Sequence, residues 1–112
     1  MSAGSVIKLE KLMKEAGLHK YSLPQLVGKK FAFIPSESEI ISLGGDITGF
    51  AVYEDEIILS VGPIIVQQKG TSRPMKIECI SFSEFGGKKI WTAQHFWEGG
   101  SGRPIQGKLQ IL

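Results

Sequence analysis

Two adjacent glycines, Gly86-Gly87, separate two ten-residue runs of extended character, Lys76 to Phe85 and Lys88 to Trp97, and no other stretch constrains the chain more. A Gly-Gly pair supplies the two positive-φ positions of a tight two-residue turn, so the runs are expected to fold back as an antiparallel hairpin. The turn fixes the register: Phe85 pairs with Lys88, and each step outward pairs the next residues. One face then carries Phe82 opposite Trp91, Ile80 opposite Ala93, Glu78 opposite His95, and Lys76 opposite Trp97. The other carries Ser83 opposite Ile90, Ser81 opposite Thr92, Cys79 opposite Gln94, and Ile77 opposite Phe96. Both faces mix apolar with polar residues, so this pattern leaves open which of them meets the core.

The rest of the chain from Lys30 onward also reads as extended. Phe31 to Ile34 forms a strand that Pro35 ends or bends. Ile40 to Leu43 resumes, and Gly44-Gly45-Asp46 is expected to turn the chain. Ile47 to Tyr53 and Glu56 to Val61 pair across the acidic turn Glu54-Asp55. Gly62-Pro63 breaks the run, and Ile64 to Val66 continues it around a corner. Gln67 to Pro74 and Gly99 to Gly102 read as loops, and Ile105 to Ile111 as the last strand. Six to seven short strands joined by tight turns predict a mostly β fold, a small antiparallel barrel or a compact sandwich. The barrel is favoured, because glycines inside strands help a sheet curl until it closes.

Ahead of the strands lies one helix, expected over about residues 5–16. Ser5 is placed to cap it, and Val6, Leu9, Met13 and Ala16 recur at helical spacing, with Leu12 widening the stripe. Gly17 stops it, and Leu18 is placed to fold back on Met13 as in a Schellman cap. An isolated helix this short is marginal in water, so the stripe must lie on the sheet or on a partner.

With 112 residues, 42% hydrophobic and 21% charged, the composition is that of one globular domain spanning 1–112. Asparagine is absent and glycine occurs 14 times, so glycine must supply most of the positive-φ turn positions. Thirteen Lys and Arg against eleven Asp and Glu give a net charge of +2, which permits an anionic partner without demanding one. The lone Cys79 forms no internal disulfide and fits a reducing compartment. The opening residues lack a signal peptide's basic start and apolar stretch, and the most apolar segment, Ile57 to Val66, is shorter than the roughly 20 residues that span a bilayer. A cytoplasmic protein that does not enter membranes is the expectation.

Several chemistries are disfavoured. Gly102 to Leu109 resembles a phosphate-binding loop, but Leu109 replaces the hydroxyl that would hold magnesium and too few residues follow to form the helix. Cys79 and His95 fall on opposite faces of the hairpin, which keeps a thiol from its base. Glu78 and His95 face each other, yet no serine shares that side, and a cross-strand charge pair accounts for them. Two histidines, one cysteine and scattered carboxylates show no metal-ligand spacing. No catalytic residue, metal or cofactor is expected, and no stretch carries a family signature.

What remains is an aromatic and basic constellation: Phe82, Trp91 and Trp97 with Lys76, Lys88, Lys89, His95 and, in the glycine-rich loop, Arg103. Single-stranded DNA or RNA is held by such a set, bases stacking on rings while Lys and Arg follow the phosphates. Non-catalytic binding of single-stranded nucleic acid is therefore the first expectation. The first alternative is a protein-interaction or homo-oligomeric module, a homodimer being the commonest form, in which a partner covers extended apolar segments and the helix stripe. A barrel enclosing a small apolar ligand, with possible enzymatic action through Glu78 and His95, is the second.

Overall fold

The computed structural model describes residues 3–36, 43–53, 55–67, 74–97, 100–101 and 104–112; at 3–7, 63, 65–67, 74–75, 95–97 and 100–101 it describes the backbone alone. Helix α1 spans Ala3–Glu15, so Ser5 lies within its first turn and is not its cap. Its end follows the sequence closely. Gly17 adopts φ +78°, its N–H reaches the Lys14 carbonyl at 3.1 Å, and the Leu18 N–H reaches the Met13 carbonyl at 2.8 Å. These are the two bonds of a Schellman cap, and Met13 and Leu18 are both buried. A one-turn helix, α2 (Leu23–Leu26), follows, opened by Ser22 with Pro24 in its first turn. The Ser22 N–H donates to Gln25 Oε1 at 2.8 Å, half of a capping box.

Among the described residues seven strands follow: β1 (Lys30–Pro35), β2 (Leu43–Tyr53), β3 (Glu56–Gln67), β4 (Pro74–Phe85), β5 (Lys88–Trp97), β6 (Gly100–Ser101) and β7 (Ile105–Ile111). Every pairing is antiparallel. The path β1-β2-β3-β4-β5-β7 returns to β1, closing a six-stranded barrel, while the short β6 pairs with the far end of β5. The chain is thus a barrel and not a sandwich, with one N-terminal helix of any length. Gly86 and Gly87, at φ +64° and +85°, make the hairpin turn as read, with Phe85 opposite Lys88.

Two cross-barrel rows define the inner face. One runs Phe50, Leu59, Ile80, Ala93, Ile105, and the next Val52, Ile57, Phe82, Trp91, Gly107. Leu59, Ile57, Ile80 and Ala93 are fully buried, and Phe31 and Phe33 of β1 complete the filling. On the outer face Ser81 and Thr92 are also buried, and their hydroxyl oxygens lie 3.1 Å apart in a mutual hydrogen bond. Without that bond each hydroxyl would lose water uncompensated.

The barrel bends where the register slips. Thr48 in β2 has no opposite residue, β3 carries extra residues between Ser60 and Ile64, and Glu78 is extra in β4. These irregularities cross three neighbouring strands and form one corner, which is how a small sheet curls shut. The Gly62-Pro63 break is part of that corner, as read. The bulge at Glu78 corrects the outer half of the hairpin register. Ile77, not Glu78, stands opposite His95, and Lys76 stands opposite Phe96, not Trp97. A straight register would aim Glu78 and Lys76 at the apolar interior; the bulge turns both outward and buries Ile77 completely.

Gly44-Gly45-Asp46 makes no turn. These residues continue β2 opposite Ala32, Phe31 and Lys30. Gly45 is small for a packing reason: a Cβ there would come within 3.6 Å of the Phe31 ring and 3.3 Å of Ile64. Gly107 in β7 plays the same part under Phe33, where a Cβ would approach the ring at 2.7 Å and the Ile34 carbonyl oxygen at 2.5 Å. Gly100 and Ser101, read as loop, pair with Trp97 and Phe96. The expected start of the second strand, Ile40-Ile41-Ser42, lies outside the described residues.

Candidate functional site

The aromatic pair of the expected stacking surface belongs to the interior. Phe82 and Trp91 are 5% and 6% exposed, and their rings pack at 5.3 Å between centroids, tilted by 47°. The Trp91 Nε1–H donates to the Ala16 carbonyl oxygen at 3.0 Å, so its one polar atom is also occupied. Neither ring offers a face to a base, because burying such large apolar surfaces inside the barrel outweighs leaving them in water. Lys76 forms an ion pair with Glu78 at 3.0 Å, and Lys89 with Glu15 at 3.4 Å. Lys88 is exposed beside the turn. His95 and Trp97 follow in β5, where their side chains are outside the description, and Arg103 lies outside the described residues altogether. The hairpin therefore brings Phe82 to Trp91 but does not assemble the eight residues into one surface.

The remaining chemistry is similarly placed. Cys79 is half-buried opposite Gln94, and desolvation pushes its thiol pKa up, with the carboxylates of Glu78 and Glu56 adding to the rise. A thiol held protonated is a poor nucleophile. Lys108 stands in β7 opposite Ile34, so Ile105 to Leu109 of the stretch resembling a phosphate loop are strand and open no helix. Among the described residues no group of three or more His, Cys, Asp and Glu side chains is arranged to hold a metal ion, and no helix is long and apolar enough to cross a membrane. A shallow depression of about 640 Å³ between the ends of the β2–β3 and β4–β5 hairpins is acidic, with Asp55, Glu56 and Glu84 around it.

A different site emerges beside α1. The α2 turn is laced to β2: the Gly28 N–H donates to the Ile47 carbonyl at 2.8 Å, and the Ile47 N–H to the Lys29 carbonyl at 2.9 Å. The next residue is Thr48, whose bulge reverses the alternation of β2. Phe50 and Val52 consequently share the inner side with their partners Leu59 and Ile57, instead of facing out. Leu59 and Ile57 are fully buried, yet Phe50 and Val52 are 41% and 39% exposed. The inner side of β2 thus reaches solvent at these two positions, and Phe50 does so beside α1.

The result is a groove of about 670 Å³ whose apolar lining includes Leu9 and Met13 of α1, Tyr21, Leu23 and Phe50. Glu10, Lys14, His19 and Ser22 contribute its polar groups. Lys29 holds its ammonium 5.5 Å from the centre of the Tyr21 ring, a cation–π contact that steadies one wall. The size and the mostly apolar walls with a few polar groups are those of a binding cleft. The α1 side of this groove was visible as the helix stripe Leu9, Met13; Phe50 was not, since only the bulge aims it there. Compared with known protein families, with curated proteins and with solved structures, the chain matches none.

Proposed function

We propose that the protein is a non-catalytic recognition domain that receives apolar side chains of another polypeptide in the groove between α1, residues 19–24 and β2. The observation that carries this reading is Phe50, directed to the inner side of the wall yet 41% exposed on an apolar floor. Covering a ring of this size is worth about 1.5–3 kcal/mol, enough for a few such contacts to support binding. The barrel interior favours this over an enclosed small ligand, because its inner rows are occupied by their own side chains. Single-stranded nucleic acid has less support, since Phe82 and Trp91 are buried and Lys30, Lys76 and Lys89 each sit against a carboxylate.

An amphipathic peptide of leucine and glutamine, titrated into isotopically labelled protein, tests the reading. Shifts are expected at Leu9, Met13, Tyr21, Leu23 and Phe50, and Phe50→Ser should abolish them while the amide spectrum stays folded. Shifts that survive Phe50→Ser, or none at millimolar peptide, sink it. A parallel titration with oligothymidine that moves Lys88 and Lys89 instead would transfer the function to nucleic acid.

A further inference from the structure

We infer that the segment taken up by this groove is acidic, a stretch in which Asp or Glu flanks the apolar residues. The inference rests on the groove reading above and adds the chemistry of the partner. Lys14 lies on the α1 side, Lys20 sits between the lining residues His19 and Tyr21, and Lys29 stands over the Tyr21 ring. Among the described residues Glu10 is the one carboxylate that lines the groove. The other α1 carboxylate of this half, Glu15, is turned to the far flank, where it pairs with Lys89 at 3.4 Å. Glu10 and Lys14 offset each other in the lining, and Lys20 and Lys29, beside the lining residues His19 and Tyr21, leave a positive excess around it among the described residues.

Charges on such a rim stay solvated, so they steer and select more than they hold. Each exposed contact is worth a fraction of a kcal/mol. An apolar groove with lysines at its lip thus takes its affinity from the ring-lined floor and its choice of partner from the rim. Concavity separates this surface from a membrane-binding one, since a cleft of about 670 Å³ fits side chains and not a lipid plane.

Three peptides with identical leucine positions and Glu, Gln or Lys at every other position provide the test. The Glu peptide is expected to bind at least about fivefold more tightly than the Lys peptide at low ionic strength, the gap closing as salt rises. In the double variant Lys14→Glu, Lys20→Glu the order should reverse; both side chains are exposed, and an unchanged amide spectrum verifies the fold. Equal binding of the Glu and Lys peptides, still lost in Phe50→Ser, overturns the acidic partner and leaves the groove standing. Failure of all three peptides to bind overturns the groove itself.

Discussion

The indole of Trp91 and the main-chain carbonyl of Ala16 meet in a buried hydrogen bond, and this contact fastens the end of α1 to the barrel. Ala16 directly follows the last helical residue, where carbonyls have no partner within the helix. Trp91 supplies one at a seam in the wall: β4 pairs with β5 from Lys88 to Phe96, but β7 pairs with it only from Trp91 to Ala93, so the pairing with β7 ends at Trp91. The helix end, with Glu15 reaching Lys89, lies over that seam.

Trp91→Phe keeps an aromatic ring in place but removes the donor and leaves the Ala16 carbonyl unsatisfied. The expected cost is about 1–3 kcal/mol in urea denaturation. The neighbouring Lys89–Glu15 pair is partly solvated, so Lys89→Ala should change stability by less than about 1 kcal/mol. Equal losses in the two variants would contradict the role assigned to the indole.

Gly107→Ala places a methyl group against the Phe33 ring and the Ile34 carbonyl oxygen, a main-chain atom with no room to move aside. A loss of about 2–3 kcal/mol is expected, from overpacking alone. Gly17→Ala meets open space, and only its positive φ penalises the side chain, so about 1 kcal/mol is expected. Thermal melts of both variants check the difference; comparable midpoints would mean that β7 has more slack than its geometry implies.

The bulge in β4 makes opposite demands on neighbours. Ile77 is fully buried and Glu78 exposed, so Ile77→Ala should cost about 2–5 kcal/mol and Glu78→Ala within about 0.5 kcal/mol. Urea denaturation of the two variants checks the ranking, which an unbulged hairpin would invert.

Cys79 should alkylate more slowly than a free cysteine at neutral pH. Burial first, then Glu78 and Glu56, raises its pKa above the ordinary value of 9.0, which lowers the thiolate fraction. Because the neutral thiol is the form favoured in the fold, its contribution to stability is complete below pH 9.0 and lost as pH rises through the raised folded value. Glu78→Gln removes one of the two carboxylates and should speed modification by iodoacetamide; an unchanged rate would leave burial and Glu56 as the causes.

The parts of this fold legible in the sequence are those set by neighbouring residues. Gly86-Gly87 dictates its own turn, Gly17 and Leu18 dictate the helix end, and Ile105 to Ile111 alternates as a strand with nothing to interrupt it. The misread parts depend on residues distant in the chain. Gly44-Gly45 resembles a turn until Phe31 is brought over it, and nothing near Thr48 or Glu78 announces an extra residue. Ser22-Leu23-Pro24-Gln25 did carry a local signal, a capping pattern with proline in the first turn, for the short helix α2. The candidate site suffered most, because one bulge decides where Phe50 points and another decides what stands opposite His95.

The Phe31–Gly45 and Phe33–Gly107 contacts also bear on how the chain reaches this barrel. Sliding β1 by two residues along either neighbour preserves the in-and-out alternation, so hydrophobic patterning cannot reject the slipped form. Steric fit rejects one direction: a slip that carries Phe31 from Gly45 to Ile47 sets a branched side chain where the ring now rests on a glycine. Only the native alignment sets both rings on glycines at once, Phe31 on Gly45 and Phe33 on Gly107, and in that sense the pairs act as keys for β1 during assembly.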